Sequence, residues 1–353
     1  MSPVTLRMVG YSIKFDLKST VLAGVLLAFI GFVLLVSVAK GSYALSYSQV
    51  LAALTGLNFD VALDPMTLDP MISTVIWELR LPRALGACLV GMLLGLSGAL
   101  LQTITRNPLA DPSLVGISQG ATLAVVALMI CFVSVPLGWQ PFAGFTGALL
   151  VAFIVMRLAE KKRKMASLRF ILMGVGISAG VSAVTTALLT YGQINQASAA
   201  LLWLAGSVHG VTWPIVAWLF AGIIVALPCL TLLSRPLALL RFGEPVALTL
   251  GARVEPVKRW GIVLAVVLAA LAVSFAGPIG FIGLVAPQLA LRLKPHGFVG
   301  HLVLSALMGA CLVALADLLG RLLFAPIQIP AGVVTAVLGA PLLMVLLIKG
   351  AKS

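Results

Sequence analysis

The sequence predicts an all-α polytopic membrane protein of about ten transmembrane helices with both termini cytoplasmic, and three observations carry that reading. Of the 353 residues, 61% are apolar and only 9% charged, with a mean hydropathy of +1.17; soluble domains hold about 45–50% apolar and about 25% charged residues. The chain divides into ten apolar runs without Asp, Glu, Lys or Arg, most of them near the ~20 residues a helix needs to cross about 30 Å of hydrocarbon. Nineteen of the 23 Lys and Arg fall in the segments that share a side with the termini, as basic loops retained in the cytoplasm do. Residues 1–353 form one transmembrane domain, and the formal charge of +13 is explained by orientation, with no nucleic-acid partner needed.

The first run, Thr20 to Ala39, follows Arg7, Lys14 and Lys18 and ends on Ser37-Val38-Ala39, which imitates a signal-peptide cleavage site. Its apolar core exceeds the roughly 7–15 residues of a signal sequence, so it reads as an uncleaved first span. The second, Ala84 to Leu101, has Arg80-Leu81-Pro82-Arg83 at its outer mouth. Before the third, Val115 to Val135, the stretch Gln102 to Gly120 carries Asn107, Pro108 and Pro112, which stop one helix and delay the next. Asn107, Pro108 and Leu109 therefore form either a plain cytoplasmic turn or, since irregular backbone at membrane depth is tolerated where it is enclosed, part of a pathway gate.

The fourth run, Phe142 to Met156, is short; the fifth and sixth are Phe170 to Tyr191 and Ile215 to Leu233. The longest inner loop, 234–259, includes Glu244 to Gly251. Glu244 and Pro245 suit the first turn of a helix and Gly251 its stop, predicting a short helix parallel to the membrane that is either an interfacial anchor or a coupling element received by a cytoplasmic partner. The seventh run is Trp260 to Ala276. The eighth, Ile279 to Leu291, is short, contains Pro287 and follows Gly277-Pro278, as expected of a tilted or broken helix enclosed by neighbours. Leu302 to Ala316 and Ala331 to Ile348 complete the set.

Several function classes are disfavoured. Spans without ionisable residues lack the proton relays of ion-coupled carriers. Neither a catalytic constellation nor a phosphate-binding loop is present, so no catalytic residue is assigned and ATP chemistry requires a partner. Cys88, Cys131, Cys229 and Cys311 are scattered and read as packing residues, and no metal site is expected. His209, His296 and His301 fall in loops or at span edges, where a solvated role is expected. Gln102, Gln119, Ser178, Ser182 and Thr186 either line a pathway or join helices by hydrogen bonds worth about 0.6 kcal/mol each. Arg80, Arg83 and Arg321 stand on the outer side against the charge bias. They either snorkel at the interface or offer a cationic dock for carboxylates; Asp317, four residues before Arg321, is placed for a local ion pair.

With these motifs in view, nearly the whole chain resembles the FecCD-type permease subunits of ABC importers for iron siderophores, haem and cobalamin. The resemblance rests on RLPR at 80–83, GxxxQxxxRNPLADPxLxG from Gly98 to Gly116, WLAGSVHG from Trp203, EPVALTLG from Glu244, AGPIGFIGLVAPQ from Ala276, ADLLGR from Ala316 and IPAGVVTAVLGAP from Ile329. It implies a subunit of the bacterial inner membrane that pairs with a second permease, unlike rather than identical, two ATPases that bind ATP and Mg, and a periplasmic siderophore-binding protein. Arg80, Arg83 and Arg321 match the family's docking arginines, Asn107, Pro108 and Leu109 its cytoplasmic gate, and Glu244, Ala247, Leu250 and Gly251 its ATPase-coupling helix. The stretches Arg169 to Pro214 and Gln328 to Gly339 look more like one of the two unlike permeases of ferric-catecholate siderophore systems, which favours an Fe(III)-siderophore over cobalamin. Gln288 stands where the family commonly has His, and Lys294-Pro295-His296-Gly297 replaces its usual Asp-His pair.

Overall fold

The computed structural model describes residues 4–8, 11–15, 17–41, 46, 50, 70–132, 136–161, 164–165, 167–323 and 325–350. After a short hairpin of β1 (Val4–Met8) and β2 (Tyr11–Phe15), the chain is a helical bundle: α1 (Leu17–Ala39), α2 (Leu81–Thr105), α3 (Ile117–Cys131), α4 (Gln140–Ala159), α5 (Ser167–Tyr191), α6 (Ile194–Leu204), α7 (Trp213–Leu240), α8 (Glu244–Thr249), α9 (Val254–Ala276), α10 (Ile282–Arg292), α11 (Gly297–Leu322) and α12 (Ala331–Gly350). A two-residue ribbon, β3 (Glu160–Lys161) with β4 (Lys164–Met165), joins α4 to α5.

Every predicted run overlaps a helix, although positions 133–135 at the end of the third run lie outside the described residues and the eighth begins at Ile279, three residues before its helix. Among the described residues, seven helices are long and apolar enough to cross a membrane, while Ile117–Cys131, Ile282–Arg292 and Ala331–Val345 are shorter apolar helices. The second span is longer than expected: Pro70–Thr74 and a π-helical stretch, Val75–Arg80, run into α2, making one apolar helix over Ile72–Thr105. Arg80 and Arg83 therefore sit inside a helix and not at its mouth. The sequence reading also missed α6, which packs against α3.

Small residues set how closely the helices approach. A Cβ on Gly91 of α2 would fall 2.2 Å from the carbonyl oxygen of Gly309 on α11, and one on Gly309 would fall 2.1 Å from that of Gly91. The two backbones touch, as small residues permit where lipid tails give helices no hydrophobic reason to associate. This makes α2 the centre of the bundle, with 89% of its most apolar window buried, against 11% for α5.

Cross-helix contacts define two ends. At one, His296 N–H donates to Ser19 Oγ at 2.9 Å, the loop after α2 meets α10, and Arg259 pairs with Glu160; this is the basic end of the sequence. At the other, the start of α2, the end of α11 and the loops near Gly206 and Pro278 gather. A Cβ on Gly98, about two-thirds of the way along α2, would lie 1.9 Å from the carbonyl oxygen of Gly283. The eleven-residue α10, about 16 Å long, therefore starts within the bundle and runs toward the basic end, and Gly277 to Phe281 is the enclosed irregular segment that Pro287 and Gly277-Pro278 foretold.

Candidate functional site

At the end opposite the basic one, Arg83, Asp317 and Arg321 form a buried cluster. Arg83 donates from Nη2 to Asp317 Oδ1 at 2.8 Å and from Nε to Oδ1 at 3.0 Å, and its Nη1 donates to Gln328 Oε1 and meets His209 Nδ1, both at 2.7 Å. Arg321 Nε lies 3.5 Å from Asp317 Oδ2, and its Nη2 reaches the carbonyl oxygen and hydroxyl of Ser37. Arg80 donates to the carbonyl oxygens of Val38 and Ala39 at 2.7 and 3.0 Å. The expected i,i+4 pair is therefore present but is half of a larger unit in which one carboxylate serves two guanidinium groups, with 2% of Asp317, 7% of Arg83 and 8% of Arg321 exposed. Burial, and the neighbouring Arg83 charge after it, hold the His209 imidazole below its usual pKa. The cluster clamps α1, α2 and α11 together and keeps an excess of positive charge.

At the basic end, the chain leaves α2 through Arg106, held left-handed at φ 53°. Asn107 Oδ1 accepts from Leu109 N–H at 2.9 Å, closing the turn that Asn favours. Asp111 is buried and its Oδ1 accepts from Ser113 N–H and Oγ–H at 2.7 and 2.5 Å; desolvation raises its pKa against those bonds. Pro108 and Leu109 are exposed and Asn107 half-buried. The segment is tied to α10 by Gln288, whose Nε2 donates to Gln102 Oε1 at 2.7 Å and to the Pro108 carbonyl at 3.3 Å. Gln102 in turn donates to the carbonyls of Gly283 and Leu284 at 3.1 and 3.2 Å, groups near the first turn of α10. Two amides thus lock α2, the 107–109 turn and the short helix into one unit.

The six-residue α8 is preceded by Gly243, whose φ of 113° excludes most side chains, and ends before Gly251 at φ 82°. Glu244 in its first turn pairs with Lys258 of α9 at 2.5 Å. Ala247 is fully buried and packs the helix onto the body, whereas Phe242, Leu248 and Leu250 are exposed. A Cβ on Gly243 would lie 3.7 Å from Arg106 Nη1, so α8 sits beside the residue that precedes the 107–109 turn.

The sequence profile of the FecCD transport family matches residues 20–349. This chain belongs to that family. Among its FecCD relatives, the achromobactin transport system permease protein CbrC of Dickeya dadantii is 37% identical over 319 residues, 90% of this chain and 88% of that one. The ferric enterobactin transport system permease protein FepG of Escherichia coli is 39% identical over 313 residues, 89% of this chain and 91% of that one. A solved metal-chelate type ABC transporter in an inward-facing conformation superposes with a TM-score of 0.79 at 29% identity, covering 94% of this chain and 99% of its own. The all-helical permease fold expected from the sequence is thereby shown.

Within this FecCD chain, the structure brings Arg80, Arg83 and Arg321 to one end, and Asn107, Pro108 and Leu109 together with Glu244, Ala247, Leu250 and Gly251 to the other. Sequence reasoning did not find Asp317 as the hub, Gln328 and His209 as its neighbours, or the Gln102–Gln288 bond. It placed His301 as solvated; the residue is 2% exposed within α11, with Ser305 Oγ–H donating to its carbonyl at 2.6 Å. The error came from starting the ninth span at Leu302, five residues after the helix begins. Of the candidate pathway residues, Gln102 is committed to helix pairing. Ser182 and Thr186 lie on the exposed face of α5, and Gln119 Oε1 and Ser178 Oγ have no hydrogen-bond partner among the described residues.

Proposed function

We propose that this chain is the permease subunit of an ATP-driven importer that carries an Fe(III)-siderophore from the periplasm to the cytoplasm across the bacterial inner membrane. The observation that carries the reading is full-length similarity to permeases named for such cargo, on a fold shared with a metal-chelate transporter. The basic end faces the cytoplasm, where positive loops are retained. There α8 presents Leu248 and Leu250 to an ATPase that binds ATP and Mg. Displacement of α8 reaches Arg106 and then the 107–109 turn, which Gln288 holds shut against α10. The exposed surface of α5, with open space around Gly176 and Gly180, receives a second, unlike permease subunit. Iron is cargo, enclosed by the donors of its chelator, and no site for it on this chain is required.

At the periplasmic end the arginine cluster draws acidic residues of a substrate-binding protein. Its surplus positive charge speeds and orients encounter in a salt-dependent way. Because Arg83 already holds Asp317, Arg83→Glu would oppose two buried carboxylates and confuse folding with docking, so docking is read from the salt dependence of binding-protein association. The experiment that tests the function is purification of the tagged chain in mild detergent with identification of copurifying subunits by mass spectrometry. An ATPase and a second permease are expected, with the ATPase lost from Glu244→Lys protein that still inserts. Recovery of the chain without any ATPase would overturn the reading.

A further inference from the structure

The face formed by α4 and α9 carries a groove that neither the transport pathway nor the docking sites use. Near the basic end it is a cavity of about 450 Å³, floored and walled by apolar side chains that include Met156, Val263 and Val267, with Phe153 and Trp260 largely exposed at its edge. Its basic end is lined by Arg157, Glu160 and Arg259. Arg157 lies over the Phe153 ring, 5.0 Å from its centroid. Arg259 gives one arm to Glu160 while half of its side chain stays exposed, leaving further donors of a five-donor fork turned outward. Two guanidinium groups against one carboxylate leave the mouth positive. The chain continues directly into Lys161-Lys162-Arg163-Lys164.

We propose that this groove is a binding site for one anionic phospholipid of the leaflet at the basic end, the phosphate held between Arg157 and Arg259 and an acyl chain laid along α9 beside Val263 and Val267. The chemistry of the lining chooses the occupant. A tryptophan at the boundary between an apolar wall and a charged mouth is the arrangement of a membrane interface, and basic pockets between helices on the positive side select acidic headgroups. A protein pathway would want the polar residues that lie instead on α5 and α3. A separate cavity of about 830 Å³ lies further along α9, reaching Leu271 and Phe275 and lined also by Trp203, His209 and Trp218. Arginines line only the first of the two.

The test is native mass spectrometry of the detergent-purified transporter complex after exposure to phosphatidylglycerol or phosphatidylcholine of identical acyl chains. Phosphatidylglycerol is expected to be retained on the order of ten-fold better. The preference should disappear in Arg157→Gln/Arg259→Gln and in Val263→Trp, which fills the apolar floor, while Lys294→Gln, an exposed basic residue elsewhere on the same end, keeps it. Equal retention of the two lipids, or an unchanged preference in both groove variants, would overturn the site. So would efficient cross-linking of a Val263→Cys variant to another subunit of the complex, because a protein would then occupy the groove.

Discussion

Asp317→Asn removes the one negative charge between two buried guanidinium groups while keeping the shape of the side chain. In the native cluster Asp317 accepts from Arg83 Nε and Nη2 at 2.8–3.2 Å and faces Arg321 Nε at 3.5 Å. Deleting one partner of a buried pair costs about 3–5 kcal/mol, because the remaining charge stays desolvated without compensation. Asn keeps one acceptor, and Arg83 keeps Gln328, so the lower figure of about 3 kcal/mol applies. At about 2.1 cal/mol/K per residue, that corresponds to a fall of roughly 4 °C in the unfolding midpoint of a chain this long, read by heating purified protein and following the monodisperse fraction by size-exclusion chromatography. The apolar replacement Arg83→Met/Asp317→Leu/Arg321→Met should recover most of the loss, since no charge is left to desolvate, yet it removes the cationic surface. Recovered stability with lost binding-protein docking would separate the two roles of the cluster. A fall of less than about 2 °C for Asp317→Asn would refute the claim that this carboxylate holds α2 to α11.

Three further outcomes follow from the geometry. Gln288→Ala frees the Pro108 carbonyl and Gln102, so in a cysteine-free background a cysteine at 107 or 109 should label faster with an impermeant thiol reagent, with little change in overall stability; unchanged labelling would detach α10 from the gate. Gly91→Leu forces a side chain into the Gly309 backbone, where relief must come from helix separation costing about 3 kcal/mol or more, and expression as dispersed protein should collapse while Gly24→Leu, which meets open space, is tolerated. Because the folded pKa of His209 lies below the unfolded value of about 6.5, the unfolded chain binds more protons between those two pKa values. Stability should therefore rise with pH across that window and be lost on acidification, and His209→Gln should flatten the midpoint-against-pH profile below about pH 6.5.

The spans were legible because hydropathy is a local property: each run between Thr20 and Ile348 overlaps a helix, and Pro287 with Gly277-Pro278 announced the broken α10. What pairs with what is not local. The Arg83–Asp317 bond joins residues 234 apart in sequence, and Gln102–Gln288 joins residues 186 apart; polar side chains in a bundle have many geometrically acceptable partners until helix packing chooses one. The i,i+4 spacing of Asp317 and Arg321 did show half of the cluster. Ala247 was grouped with the partner-facing residues of α8 because spacing alone cannot say which side of a six-residue helix is buried. α6 escaped notice because Gln193, Asn195 and Gln196 interrupt the apolar pattern at its start.

The central claim, ATP-driven import of a ferric siderophore, is tested most directly by uptake of radio-iron bound to a catecholate siderophore in host cells deleted for this gene. Wild-type protein supplied from a plasmid should restore uptake. Glu244→Lys protein, present in the membrane at equal amount, should not, on the proposal that α8 couples the permease to an ATPase. Undiminished uptake in the deletion strain, or restoration by the permease when the partner ATPase is inactive, would contradict the account.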